Sequence, residues 1–163
     1  MPTTHGPRCY WDVDRCGWVC PPPPVVEIDD DPARLDVDVV HRMLAASYWA
    51  AGIPRSVVEA SIAGSECWGA YEGTATVGFA RLVTDRATFG WLGDVLVVPG
   101  YRRCGIGTAL VEAAVARAVG YGLRRVMLAT RDAHALYRRH GFVDSPPGML
   151  MERCVDPAVL YPG

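Results

Sequence analysis

The sequence predicts an α/β fold built on one mixed β-sheet, and three observations carry that prediction. Extended segments follow one another at Glu66–Glu72, Ala75–Thr84 and Thr88–Val98, joined by turns at Glu72-Gly73 and Asp85-Arg86, which makes an antiparallel meander. A long helical segment, Gly105–Val119, then separates the third of these from a buried-type strand at Arg125–Thr130. Strand, helix and strand over residues 88–130 form a crossover unit, so at least one pair in the sheet is parallel.

The elements are justified in order along the chain. Residues 1–24 hold His5, Cys9, Cys16, Cys20, Trp11 and Trp18 and end in Pro21-Pro22-Pro23-Pro24. A proline run favours an extended, isolated spacer, so this segment reads as a loosely ordered extension and residues 25–163 as the folded domain. Val25–Ile28 is a short strand. Asp36 suits the N-cap of a helix running to Trp49, with Val39, Val40, Met43 and Leu44 at helical spacing. Gly52 and Pro54 interrupt it, and Pro54–Ala63 is a second helix. The meander follows, and Pro99-Gly100 stops its last strand. In the long helix Leu110, Val111, Ala114, Val115 and Ala118 give a broad apolar face, ended by Gly120 and Gly122. After Arg125–Thr130, Asp132 suits the cap of a short helix through His140, with Gly141 at its C-terminal position. Phe142 opens a further strand, and Met149–Cys154 is the last.

Composition narrows the function. A chain of 163 residues, half of them hydrophobic and 21% charged, supplies one domain with a real core. No apolar run approaches the roughly 18–20 residues of a membrane span. The formal charge of −2 argues against a nucleic-acid binder that works by bulk charge. Residues 1–101 carry 7 Arg against 13 acidic side chains, whereas residues 102–163 carry 9 Arg against 5. The second half is therefore the side for an anionic ligand and the first for a cationic one. Lysine is absent, which removes the Walker A loop and Schiff-base chemistry. The six cysteines fit no disulfide scaffold, and no basic-then-apolar leader opens the chain, so a reducing cytoplasm is the expected compartment. His5, Cys9, Cys16 and Cys20 are ligands of the right type for zinc, but C-x6-C-x3-C lacks the tight C-x2-C knuckle, and no metal is expected.

The segment Val95-Leu96-Val97-Val98-Pro99-Gly100-Tyr101-Arg102-Arg103-Cys104-Gly105-Ile106-Gly107-Thr108 ends a strand, turns through Arg-x-x-Gly-x-Gly and starts the long helix. Glycines admit close backbone approach, and a helix N-terminus adds partial positive charge, which together make a cradle for pyrophosphate. A dinucleotide fingerprint is excluded, because three antiparallel strands precede the loop. This stretch resembles motif A of the GNAT superfamily of acyl-CoA N-acyltransferases. Leu128-Ala129-Thr130-Arg131-Asp132-Ala133-His134-Ala135-Leu136-Tyr137-Arg138-Arg139-His140-Gly141-Phe142 resembles its motif B. Similarity continues upstream through Ser47-Tyr48-Trp49-Ala50 and Gly78-Phe79-Ala80-Arg81 and covers roughly residues 25–153.

The resemblance implies a mixed sheet splayed open between its fourth and fifth strands, with helices on both faces and acetyl-CoA in the V as co-substrate. It implies that Leu96, Val97 and Val98 lend backbone groups to the pantetheine arm. Arg103, Cys104, Gly105, Ile106, Gly107 and Thr108 would surround the pyrophosphate. Direct transfer, rather than a covalent enzyme intermediate on Cys104, is the implied chemistry. Acetyl transfer needs a deprotonated amine, a donor to the thioester oxygen and a proton for the departing thiolate. By the motif B match, Tyr137 contacts the cofactor and is the candidate acid. Asp94, a carboxylate inside an apolar strand, and His134, with a suitable intrinsic pKa, are the candidate bases; pairing with an arginine is the alternative for Asp94, and a water chain for both. Strand alternation places Asp94 with Leu92, Leu96 and Val98. Tyr48 and Trp49, read as the end of the first helix, would wall the acceptor site. The expected activity is N-acetylation of a primary amine on a small molecule. A protein or peptide acetyltransferase and a non-catalytic acyl-CoA sensor are the alternatives, and a homodimer is compatible with all three.

Overall fold

A computed structural model describes residues 10–14, 17–19 and 24–161. Two short strands open it, β1 (Tyr10–Asp12) and β2 (Gly17–Val19), paired antiparallel with Trp11 opposite Trp18. The segment expected to be irregular thus contains a hairpin, which forms a two-stranded sheet of its own. Its turn starts where the Asp14 amide donates to the Asp12 carboxylate at 3.0 Å. His5, Cys9, Cys16 and Cys20, the residues weighed for zinc, lie outside the described residues.

The main sheet has five strands in sequence order: β3 (Glu27–Asp29), β4 (Glu66–Glu72), β5 (Ala75–Thr84), β6 (Phe89–Val97) and β7 (Arg125–Met127). The first four are antiparallel neighbours and β6–β7 is parallel, as the meander and crossover require. On one face lies α3 (Ile106–Gly120), whose Ile106, Leu110, Val111, Ala114 and Ala118 pack on Trp68, Ala70, Val77, Ala80, Leu82 and Leu92. On the other face α1 (Val37–Ala45) and α2 (Arg55–Ala63) bury Val40, Leu44 and Val58 against Cys67, Phe79 and Leu96. Cys67 is a core residue, and burial pushes its thiol up to about 11. Both apolar stripes of the sheet are therefore covered, which is what the fold class demands.

Several boundaries differ from expectation for identifiable reasons. Asp36 caps α1 as expected, its carboxylate accepting from the amides of Asp38 and Val39. The helix stops at Ala45, however, because the Ser47 amide and hydroxyl both turn back onto the Leu44 carbonyl, at 2.9 and 2.7 Å. Tyr48 and Trp49 therefore sit on the turn after α1, about half exposed at 51% and 47%. The short helix α4 spans His134–Arg138 and is preceded by Ala133, whose amide donates to Thr130 Oγ1 at 3.0 Å, so Asp132 is not its cap. Gly141 has φ 84° and does close this segment. Neither strand expected after it forms. Pro146 and Pro147 cannot donate to a ladder, and Gly148 turns the chain with φ 76°, so residues 142–156 run without strand pairing to a single turn of helix, α5 (Pro157–Leu160).

The feature that makes the site is in β6. Asp94 has φ 53°, and the β5–β6 register slips there: Arg81 faces Gly93, but Phe79 faces Leu96. This bulge changes the phase of the strand. Leu92 packs beneath α3, whereas Leu96 packs beneath α1 and α2, so simple alternation, which put them together with Asp94, is wrong across the bulge. β7 pairs with β6 over three residues, from Phe89 opposite Arg125 to Trp91 opposite Met127. Beyond Trp91 the two strands part, and the sheet opens into a V.

Candidate functional site

A cavity of about 830 Å³ occupies the V. Its floor is β6 past the bulge, through Val95, Leu96, Val97 and Val98. Met43, Ser47, Tyr48 and Trp49 form one wall, and Asp132, Ala133, Leu136 and Tyr137 form the other. Arg102 and Gly107 stand at one end. The edge of β6 that faces β7 at Phe89–Trp91 is not taken by β7 further along, and Arg102 Nε holds the Val97 carbonyl at 3.1 Å. Of the residues expected to hold the cofactor, Leu96, Val97, Val98, Gly107 and Tyr137 line this cavity. Arg103, Cys104, Gly105, Ile106 and Thr108 do not line it. They belong to the turn and helix start at its Arg102 end, and Ile106 is turned into the core.

The turn itself is shaped as an anion seat. A single 3-10 turn at Pro99–Tyr101 leads into Arg103 and Gly105, both left-handed with φ 61° and 83°. Gly105 is the N-cap of α3, and no side chain caps this terminus. The first intrahelical bond is Ala109 N–H to Gly105 carbonyl, so the amides of Ile106, Gly107 and Thr108 have no partner within the helix. No acidic residue occupies the first turn, which leaves the positive helix end uncompensated beside two arginines.

A second cavity, about 280 Å³, lies toward the closed end of the V. Trp91, Leu92, Gly93 and Asp94 line it from β6, and Ala129 and Thr130 from the segment after β7. The two cavities share Tyr48, Trp49, Val95, Asp132, Ala133 and Tyr137, and these six residues mark where the spaces meet. Tyr48 and Trp49 pack edge to face with centroids 4.8 Å apart, and the Arg131 guanidinium stacks 3.9 Å above the Tyr48 ring. Turn and motif B segment are thereby joined across the opening.

At the junction the phenol of Tyr137 is raised above its ordinary pKa, chiefly by burial, with Tyr48 and Asp132 adding to the shift. Its ring is fixed against Phe142, 5.9 Å away and edge on. Asp94 has both carboxylate oxygens engaged: Oδ1 accepts from Trp49 Nε1 at 3.0 Å and Oδ2 from Arg81 Nε at 2.5 Å. His134 is placed elsewhere. It lines a third cavity, of about 500 Å³, with Arg138, Phe142 and Met149; Tyr137 borders this cavity too, but His134 lines neither of the two cavities in the V.

The residues that sequence reasoning passed over are Trp91, Arg131 and the role of Arg81. Trp91 is the last β6 residue paired with β7, at the point where the strands part. Arg81 was legible in principle. The Asp85-Arg86 turn sets the hairpin register that brings Arg81 opposite Gly93, next to the carboxylate.

The profile of the acetyltransferase (GNAT) family matches residues 37–142. A Gibberella zeae protein named as an acetyltransferase is 30% identical over 134 residues, 69% of this chain and 76% of its own length. A crystal structure from Xanthomonas campestris pv. campestris, of a protein assigned to the GNAT family, is 43% identical with TM-score 0.76, covering 81% of this chain and 94% of that one. A GNAT family acetyltransferase from Elizabethkingia anophelis with acetyl-CoA bound is 14% identical and shares the fold, with TM-score 0.59 over 74% of this chain and 78% of that one.

Proposed function

The chain belongs to the GNAT family of acetyltransferases, and from that premise we propose that it moves an acetyl group directly from acetyl-CoA to a primary amine of a small molecule. The activity resides in residues 25–163, with residues 1–24 as an extension. The observation that carries this reading is the meeting of two cavities at Tyr137. The large one, ending at the α3 N-terminus, suits a long anionic thioester; the small one suits the acceptor. Donor and acceptor then meet where the six shared residues lie, which is the arrangement a direct transfer needs.

The chemistry follows from these placements. Pyrophosphate sits on the amides of Ile106, Gly107 and Thr108, with Arg102 and Arg103 beside it. The pantetheine arm runs along Leu96, Val97 and Val98. A backbone N–H of the splayed strand near the bulge donates to the thioester oxygen as charge develops there. The amine lone pair attacks the carbonyl carbon, the carbon–sulfur bond breaks, and the thiolate takes the Tyr137 proton. A phenol held above its ordinary pKa remains protonated at neutral pH and is available as this donor. The amine's own proton passes to water in the small cavity, and water returns a proton to the Tyr137 phenolate; Asp94 is oriented toward Trp49 and Arg81, and His134 does not line that cavity.

A small-molecule acceptor is favoured over a peptide by the size and walls of the acceptor space. About 280 Å³ bounded by Tyr48, Trp49, Trp91 and Tyr137 admits a compact amine with an apolar body. The three described cysteines, Cys67, Cys104 and Cys154, are all free, which supports work in a reducing cytoplasm. Among the described residues no helix is long and apolar enough to cross a membrane. The test is incubation with acetyl-CoA and a panel comprising 2-phenylethylamine, spermidine, glucosamine 6-phosphate and a lysine-containing peptide. Free thiol is followed in solution and acetylated product by mass spectrometry. Turnover of a small amine above the peptide supports the proposal. Preference for the peptide, or acetyl-CoA binding without any turnover, overturns it.

A further inference from the structure

Asp94 stands out as a group whose surroundings do not fit the role its position suggests. Its side chain is 11% exposed, and its ion pair with Arg81, itself 22% exposed, is largely withdrawn from water. The remaining oxygen accepts the indole N–H of Trp49, a residue 45 positions earlier on the turn after α1. On the same turn Trp49 packs edge to face on Tyr48, whose ring carries the Arg131 guanidinium, and both rings are about half exposed. The bulge is what brings the carboxylate there. With φ 53° at Asp94, the side chain points to the α1–α2 side, where Arg81 comes from β5 and Trp49 from the turn. Arg81 is tied further by donating to Ser65 Oγ at 3.3 Å, next to α2.

We propose that Asp94 is a positioning residue: it clamps the Trp49 indole as a fixed wall of the acceptor cavity and so sets acceptor affinity, while proton removal from the amine does not depend on it. The inference deepens the acetyl-transfer reading and rests on it for its kinetic arm. A general base must be aimed at the amine, whereas the Asp94 carboxylate is oriented by two fixed donors, one on each oxygen, toward Trp49 and Arg81. Arg81 Nε holds the other oxygen at 2.5 Å, so the carboxylate is fixed in place opposite the indole N–H. Trp49 borders both cavities, so an indole held in place defines how the acceptor approaches the thioester.

The variants are chosen for the backbone. Asp94→Gly keeps the left-handed conformation while removing the carboxylate, and Asp94→Asn tolerates that conformation but offers one acceptor to two donors. In nitrogen-15 spectra the Trp49 indole resonance is assigned by its loss in Trp49→Phe. Its proton should exchange with water at least about tenfold faster in Asp94→Gly than in the native chain. With the best-used amine of the panel, acceptor KM should rise about threefold in Asp94→Asn and at least tenfold in Asp94→Gly. In both, kcat should stay within about threefold, acetyl-CoA affinity should be unchanged, and the pH profile should keep its limbs. On a Trp49→Phe background Asp94→Gly should add less than about twofold. Two results overturn the proposal: an indole proton unaltered in shift and exchange by Asp94→Gly, or a kcat collapse of about 100-fold or more in both variants with loss of the acidic limb, as a base would give. If no panel amine is turned over, the acetyl-transfer reading fails on its own, and the indole exchange still decides the clamp.

Discussion

Replacing Gly107 by glutamate tests the anion seat without disturbing the fold. Gly107 is the second residue of α3 and lines the large cavity. A Cβ there would meet Leu136 Cδ2 at 3.8 Å and Val97 Cγ2 at 3.9 Å, ordinary contacts, so alanine fits and serves as the control. Alanine should even help, since Gly to Ala in a helix is worth about 0.5–1 kcal/mol. Glutamate adds a charge at a helix N-terminus, where an anion is stabilising by about 0.3–1 kcal/mol, so the free protein should melt no lower than the native one. Bound acetyl-CoA feels the reverse. A carboxylate about 5 Å from a phosphate charge is repelled by about 0.8 kcal/mol in water, and a pyrophosphate presents about two such charges. The carboxylate also occupies the helix-end field the phosphates would use. Together these predict a loss of about 2 kcal/mol, or roughly thirtyfold in Kd at low salt, narrowing as salt is added. Calorimetry with acetyl-CoA on native, Gly107→Ala and Gly107→Glu proteins, with melts alongside, measures it. Native affinity in a folded Gly107→Glu protein would refute the placement of pyrophosphate at this turn. Gly105 would be a poorer probe, because its φ of 83° makes any side chain there cost about 1–2 kcal/mol in backbone strain.

Three further outcomes are expected. Tyr137→Phe keeps the edge-on packing with Phe142 but removes the proton, so kcat should fall about 10–100-fold with acetyl-CoA affinity little changed; full activity in steady-state assays would assign thiolate protonation to another donor. Asp85 accepts from the Thr88 hydroxyl and the amides of Thr88, Ala87 and Phe89, which holds its carboxyl well below the usual range. A depressed folded pKa means stability present above about pH 4 and lost as pH falls further, so Asp85→Ala should lower Tm at pH 7 and flatten its decline between about pH 4 and pH 2; parallel melting curves for the two proteins would contradict this. Deletion of residues 1–24 should leave a folded protein that binds acetyl-CoA, because the β1–β2 hairpin is a sheet separate from the five-stranded one; an insoluble or unmelting product would show the extension to be part of the fold.

What the sequence disclosed, and what it hid, divides along a physical line. Apolar periodicity and turn residues are local, and they located the meander and α3 to within a residue or two; the crossover's last strand starts at Arg125 as expected but ends at Met127, three residues before Thr130. The helix start proposed as an anion seat was legible as local structure for the same reason, since Gly105 and the residues after it are contiguous in the chain. The side of the V proposed for the acceptor was harder to read because it depends on phase. Alternation along β6 assigns every side chain to a face only while the backbone stays extended, and one left-handed residue reverses the assignment for all that follow. Aspartate is among the few side chains that accept φ 53°, so the residue that looked chemical was also the residue most able to bulge. These two properties are linked in the folded chain. The bulge turns Leu96 to the α1 side and frees β6 from β7, which opens the V; the same torsion brings the Asp94 carboxylate between Arg81 and Trp49. The carboxylate then secures the turn that α1, ended early by Ser47, leaves at the cavity mouth. A single backbone conformation thus both makes the site and fixes one of its walls, which is why neither could be read from the pattern of apolar residues.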